Sequence, residues 1–84
     1  MRTSAEDRID QNAWSLFSAE VEERIRESAR KGKFGWADPE ICSNKELRDR
    51  LLDNLQADDY LEVAAYAMFL HLRESNEIGR LGGF

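Results

Sequence analysis

The chain is poor in the residues that specialise a protein by chemistry. In 84 residues there is one cysteine, one histidine and one proline. A single thiol, Cys42, cannot close an internal disulfide, so a stapled secreted scaffold is excluded. One histidine, His71, beside Leu70 and Leu72 with its cysteine far away, gives no basis for a zinc site or a Cys–His nucleophile pair. Cys42 lies just before a helix-capping sequence, a position that can lower a thiol pKa, although such a cysteine is more often inert. No apolar run reaches the ~20 residues that span a bilayer; the longest mostly apolar stretch is Tyr60 to Leu72. The opening "MRTSAEDRID" has no apolar signal core. No P-loop or dinucleotide fingerprint is present. The expectation is a cytoplasmic protein without a membrane segment.

What is present is charge and leucine. Charged residues make up 35% of the chain and hydrophobic ones 42%, with a net charge of -5. An acidic total argues against wholesale binding to a nucleic-acid backbone. The charge is unevenly placed. "RIRESARKGK" (24–33) holds five bases and one acid, and "DRLLDNLQADDYLE" (49–62) five acids and one base. That polarity is more informative than the total.

The apolar spacing predicts three helices and no strand, in a single all-α domain over residues 1–84. The ends, 1–4 and 76–84, are expected to be flexible, three glycines falling in the last six residues. Thr3-Ser4-Ala5-Glu6 fits a capping box. Ile9, Ala13, Leu16, Phe17, Val21 and Ile25 then recur in steps of three and four, the stripe of a long first helix over about 5–31. It is expected to stop at Gly32 and to bend or break near Ser15–Ser18. Ser43-Asn44-Lys45-Glu46 is a second box, opening a helix over about 44–56 with Leu47, Leu51, Leu52 and Leu55 on one face. Lys45 with Asp49, and Glu46 with Arg50, have the spacing of exposed ion pairs. Asp58 or Asp59 can cap a third helix, about 59–75, which is apolar nearly all round. A first helix longer than so small a domain needs, and a third lacking cover, predict a homodimeric helical bundle.

Two constellations could carry chemistry. Asp49, Asp53, Asp58, Asp59 and Glu62 gather hard oxygen ligands of the kind Mg²⁺ takes; they also suit helix capping and solvated faces. In "RKGKFGW" (30–36), Lys31 and Lys33 could hold a phosphate and Trp36 could stack a base. Alternatively Phe34 and Trp36 plug the core, or Trp36 anchors a partner.

The loop "KGKFGW", the acid-flanked leucine helix and "DDYLEVAAYAMFL" together resemble the MazG-like all-α nucleotide pyrophosphohydrolases, most of all their short phage and prophage relatives. Those carry a Lys-Gly-Gly-Trp-like loop, a Glu-Glu-x-x-Glu helix and a last helix reading roughly Glu-x-x-Asp-Val-Ala-Asn-Phe-Ala-Met. The resemblance spans about residues 30–72. It implies a dimeric bundle and, in an active member, acids that bind Mg²⁺ and a nucleoside triphosphate. Asp59 and Glu62 fall on the last motif with the acid types exchanged, and Val63, Ala64, Tyr66, Ala67 and Met68 match around them. Asp53 matches one glutamate of the middle helix. Ala65 stands where the family has asparagine, and Asn54 and Ala57 where it has further acids. The ligand set this implies is Asp53, Asp59 and Glu62, with Lys31, Lys33 and Trp36 toward the nucleotide.

A chain that keeps packing residues and loses ligands reads as a scaffold reused for binding. The expected function is therefore a small non-enzymatic phage or prophage accessory protein. It would bind and modulate a host or defence protein, as an inhibitor or anti-defence factor, through Phe34, Trp36, Asp49, Asp53, Asp58 and Asp59. No cofactor is expected in that case. The alternatives are a Mg²⁺-dependent nucleotide pyrophosphohydrolase and nucleic-acid binding through the basic end of the first helix.

Overall fold

A computed structural model describes residues 2–33 and 35–81; residues 1, 34 and 82–84 lie outside it. Phe34, a candidate for partner contact, is therefore outside the described residues. The element order is α1 (Ser4–Arg30), α2 (Asn44–Gln56), α3 (Tyr60–Glu74) and a short 3₁₀ turn, Ile78–Arg80, with no strand among the described residues. None of these helices is long and apolar enough to cross a membrane.

Each helix begins on a side-chain cap. The Thr3 hydroxyl accepts the Glu6 N–H at 3.1 Å, and the Ser43 hydroxyl accepts the Glu46 N–H at 3.1 Å. The Asp59 carboxylate accepts the Glu62 N–H at 3.4 Å, so Asp59, not Asp58, is the third cap. These contacts satisfy N–H groups that a helix start leaves without partners.

Each helix also ends in the same way. Gly32, Asp58 and Asn76 follow the three helices with φ of 86°, 57° and 62°. The next N–H then reaches back five residues: Lys33 to Ser28 O at 2.9 Å, Asp59 to Asn54 O at 2.9 Å, Glu77 to Leu72 O at 3.0 Å. This is the Schellman arrangement, in which a left-handed residue lets the chain satisfy the last carbonyls. Gly32 was predicted to stop α1. The other two stops use Asp and Asn, the Cβ-bearing residues that most readily adopt a left-handed conformation.

α1 runs unbroken. The break expected near Ser15–Ser18 does not occur, and the Ser18 hydroxyl donates to Ser15 O at 3.2 Å within the continuous helix. At ~1.5 Å per residue, 27 residues make a rod of ~40 Å. The whole molecule measures 46 × 31 × 24 Å, so α1 sets its long axis.

α3 is the central element, with α1 and α2 both packed against it. The core holds one or two residues from each helix: Val21, Leu47, Ala65 and Phe69. Phe17, Ile25, Leu61, Ala64, Tyr66 and Leu70 pack around them, half-buried. Much of the apolar surface of α1 is exposed among the described residues. Ile9, Trp14 and Leu16 are 65%, 67% and 65% exposed. Leu52, Leu55, Tyr60 and Met68 also face outward.

The 31–43 connection is built, not loose. Gly35 has φ 97°, and a Cβ there would lie 2.6 Å from Ile41 Cγ2, so the turn requires glycine on both counts. The Asp38 carboxylate accepts the Glu40 N–H at 2.9 Å across Pro39. Arg73 of α3 ties the loop down from below, donating to Trp36 O at 3.2 Å and Cys42 O at 2.5 Å. Trp36 stacks on Phe69 at 4.3 Å and 12°, and Tyr66 meets the Phe69 edge at 5.7 Å. Of the three roles expected for Trp36, the one realised within the chain is packing on the core.

Candidate functional site: a two-signed cleft between α1, α2 and α3

The short turn between α2 and α3 folds the acidic segment back beside the basic end of α1. A cleft of ≈ 590 Å³ lies where they meet. Four bases line it, Arg24, Lys31, Lys33 and Arg50, and four acids, Glu27, Asp53, Asp59 and Glu62. Ser28, Asn54 and Tyr66 complete the wall. Five residues singled out separately in the sequence, Lys31, Lys33, Asp53, Asp59 and Glu62, thus share one cavity. Asp49 and Asp58 do not line it. Asp49 pairs with Lys45 at 2.8 Å on the exposed side of α2, as the spacing predicted. Asp58 holds the α2–α3 turn and accepts the Tyr60 hydroxyl at 3.3 Å. Glu46 and Arg50 form no ion pair among the described residues.

Arg24 organises the centre. Its Nη1 lies 3.1 and 2.8 Å from the two carboxylate oxygens of Asp59 and 3.3 Å from Glu62 Oε1. The hydrogen bond to Asp59 holds the Arg24 guanidinium above its already high ordinary pKa, with partial burial opposing and Glu62 reinforcing. Asp59 therefore does two things at once, capping α3 and binding Arg24. Glu62 gives its carboxylate to Arg24, while the Asp59 N–H donates to Asn54 O. Lys31 pairs with Glu27 at 3.3 Å. Lys33, Arg50 and Asp53 enter no ion pair among the described residues. Sequence reasoning had Arg24 only as part of a basic run. Its partners lie 35 and 38 residues away, a separation no helical spacing rule reaches.

The same fact bears on Mg²⁺, the ion the family resemblance implies. A small divalent ion would need oxygens of Asp59 and Glu62 that already accept from Arg24. No group of three or more His, Cys, Asp or Glu side chains among the described residues converges closely enough to hold an ion. As arranged, the donor set does not fit the metal.

Beside the cleft lies a second, mainly apolar pocket of ≈ 780 Å³, walled by Ile25, Trp36, Ile41, Leu47, Tyr66 and Phe69. Ser28, Lys33, Arg50, Glu62 and Tyr66 border both cavities. Cys42 lines the apolar pocket. Desolvation there pushes its thiol pKa up, with Glu46 adding to the effect, so the lowering that the cap position allowed does not occur.

No protein-family profile matches the chain, and no curated protein or solved structure matches it.

Proposed function

We propose that the chain is a non-enzymatic binding protein that works as a homodimer, an accessory factor of the phage or prophage type that modulates a host or defence protein. The observation that carries the dimer is the first half of α1. It extends past the rest of the fold with Ile9, Trp14 and Leu16 uncovered. Only Val21, Leu47, Ala65 and Phe69 are buried among the described residues, a small core for a chain of this length. A second copy is the occupant that would cover both molecules' overhangs by one symmetric contact. The exposed leucines of α2, Leu52 and Leu55, extend the area available. Asp49 and Asp58 lie outside the cleft on exposed surface, where they could meet a basic surface on the modulated protein in exchange for their contacts to Lys45 and Tyr60.

Light scattering tests the assembly: wild type at twice the 9.7 kDa chain mass, and Trp14→Asp at the chain mass. The partner role requires that a protein captured from a bacterial lysate bind again as a purified pair, with weakened binding to Asp49→Asn/Asp58→Asn. Absence of any saturable pair rejects that role.

A second reading, a nucleotide pyrophosphohydrolase, is favoured by the gathering of Lys31, Lys33, Asp53, Asp59 and Glu62 around one cleft beside an aromatic pocket. The Arg24 ion pair opposes it. Incubation with mixed nucleoside triphosphates and Mg²⁺ decides: pyrophosphate release abolished by Glu62→Gln supports it, and no release, or release indifferent to that substitution, rejects it.

A further inference from the structure

We propose that Arg24 is the resident cation of the cleft and that, while it is in place, Asp59 and Glu62 take up no divalent ion. The guanidinium bridges both carboxylates from one nitrogen, with both Asp59 oxygens and one of Glu62 within 3.3 Å. A Mg²⁺ ion binding those oxygens would sit ~2.1 Å from them. That places it against a positive group that hydrogen-bonds the same atoms. Arginine cannot yield by losing its proton at any ordinary pH. Its position is set by the backbone, since it springs from a turn of α1 whose neighbours Val21 and Ile25 pack on the core, which keeps the guanidinium within reach of both carboxylates. Lys33 and Arg50 add positive charge on the same walls. Both Asp59 oxygens and one of Glu62 are thus engaged within the chain, and the ion pair ties the last third of α1 to the first turn of α3.

Removing the guanidinium should reverse this. Arg24→Gln leaves Asp59 and Glu62 without their counter-ion, with Asp53 on the same cleft wall, and the cleft becomes net negative. The probe is Mn²⁺, followed by the loss of its free-ion electron paramagnetic resonance signal on addition of full-length protein at low salt. Wild type and Arg24→Lys are expected to show no saturable uptake. Arg24→Gln is expected to retain Mn²⁺ roughly tenfold or more tightly. A folded Arg24→Gln without that gain overturns the proposal, as does saturable uptake by wild type that Asp59→Asn abolishes. Should Arg24→Gln fail to fold by circular dichroism, Mg²⁺ titration of the wild type by amide NMR still decides. Unshifted Asp59 and Glu62 signals support the proposal; saturable shifts overturn it.

Discussion

The two halves of α1 share one apolar stripe and have opposite fates. From Phe17 onward the stripe enters the core through Val21 and Ile25, and Arg24 between them reaches the α3 carboxylates. Before Phe17 the same spacing continues through Ile9, Ala13 and Leu16, yet every residue from 2 to 16 is exposed. Periodicity shows that a face is apolar; it does not show what covers it. Among the described residues about half of this helix is covered, and the remainder is the surface that a second copy is proposed to cover.

Paired substitutions across that divide break the comparison most sharply. Leu47→Ala, at 1% exposure, removes a side chain at the centre of the core. It should cost roughly 2–5 kcal/mol in denaturant unfolding at any protein concentration. Leu16→Ala, outside the core, should leave the dilute chain within about 0.5 kcal/mol of wild type. Its effect should grow at concentrations where the dimer forms, since assembly adds stability by mass action. An equal loss at high dilution would place Leu16 in an intrachain core.

Smaller effects test the joints. Asp58→Gly relieves a left-handed residue that bears a Cβ and should stabilise by up to about 1 kcal/mol. The same change at an ordinary helical position would destabilise. Arg24→Gln breaks a pair about one-third exposed and should cost about 1 kcal/mol or less, falling further in high salt.

The smallest effect is at Cys42. Its folded pKa lies above that of the unfolded chain, so the unfolded state loses the thiol proton first as pH rises. Stability should be full below the ordinary thiol range and decline slightly between the unfolded and folded values. Iodoacetamide should alkylate the native thiol more slowly than the same thiol in denaturant at equal pH.

The helix ends were the most legible part of the sequence, because caps act over three residues. Thr3, Ser43 and Asp59 cap as their spacing implied, and α2 spans the predicted 44–56. The Asp58 and Asn76 stops were only weakly signalled, since Asp and Asn visit the left-handed region more often than other residues but also serve as caps and surface groups. The cleft was legible as two patches of opposite sign, read as surfaces for a partner. The fold turns part of each patch toward the other, so some of that complementarity is internal. Arg24 could have been suspected only by asking which base of the 24–33 run faces α3, a question that needs the packing of α1. Arg73, which anchors the 31–43 loop through carbonyls that any residue would carry, left no sequence signal at all.

In the proposed dimer a second copy covers the exposed half of α1. Sedimentation equilibrium of wild type and Trp14→Asp at micromolar concentration tests it most directly. The account predicts a wild-type mass of twice the 9.7 kDa chain and a variant at the chain mass with unchanged helicity. A wild type that sediments as a single chain would contradict it.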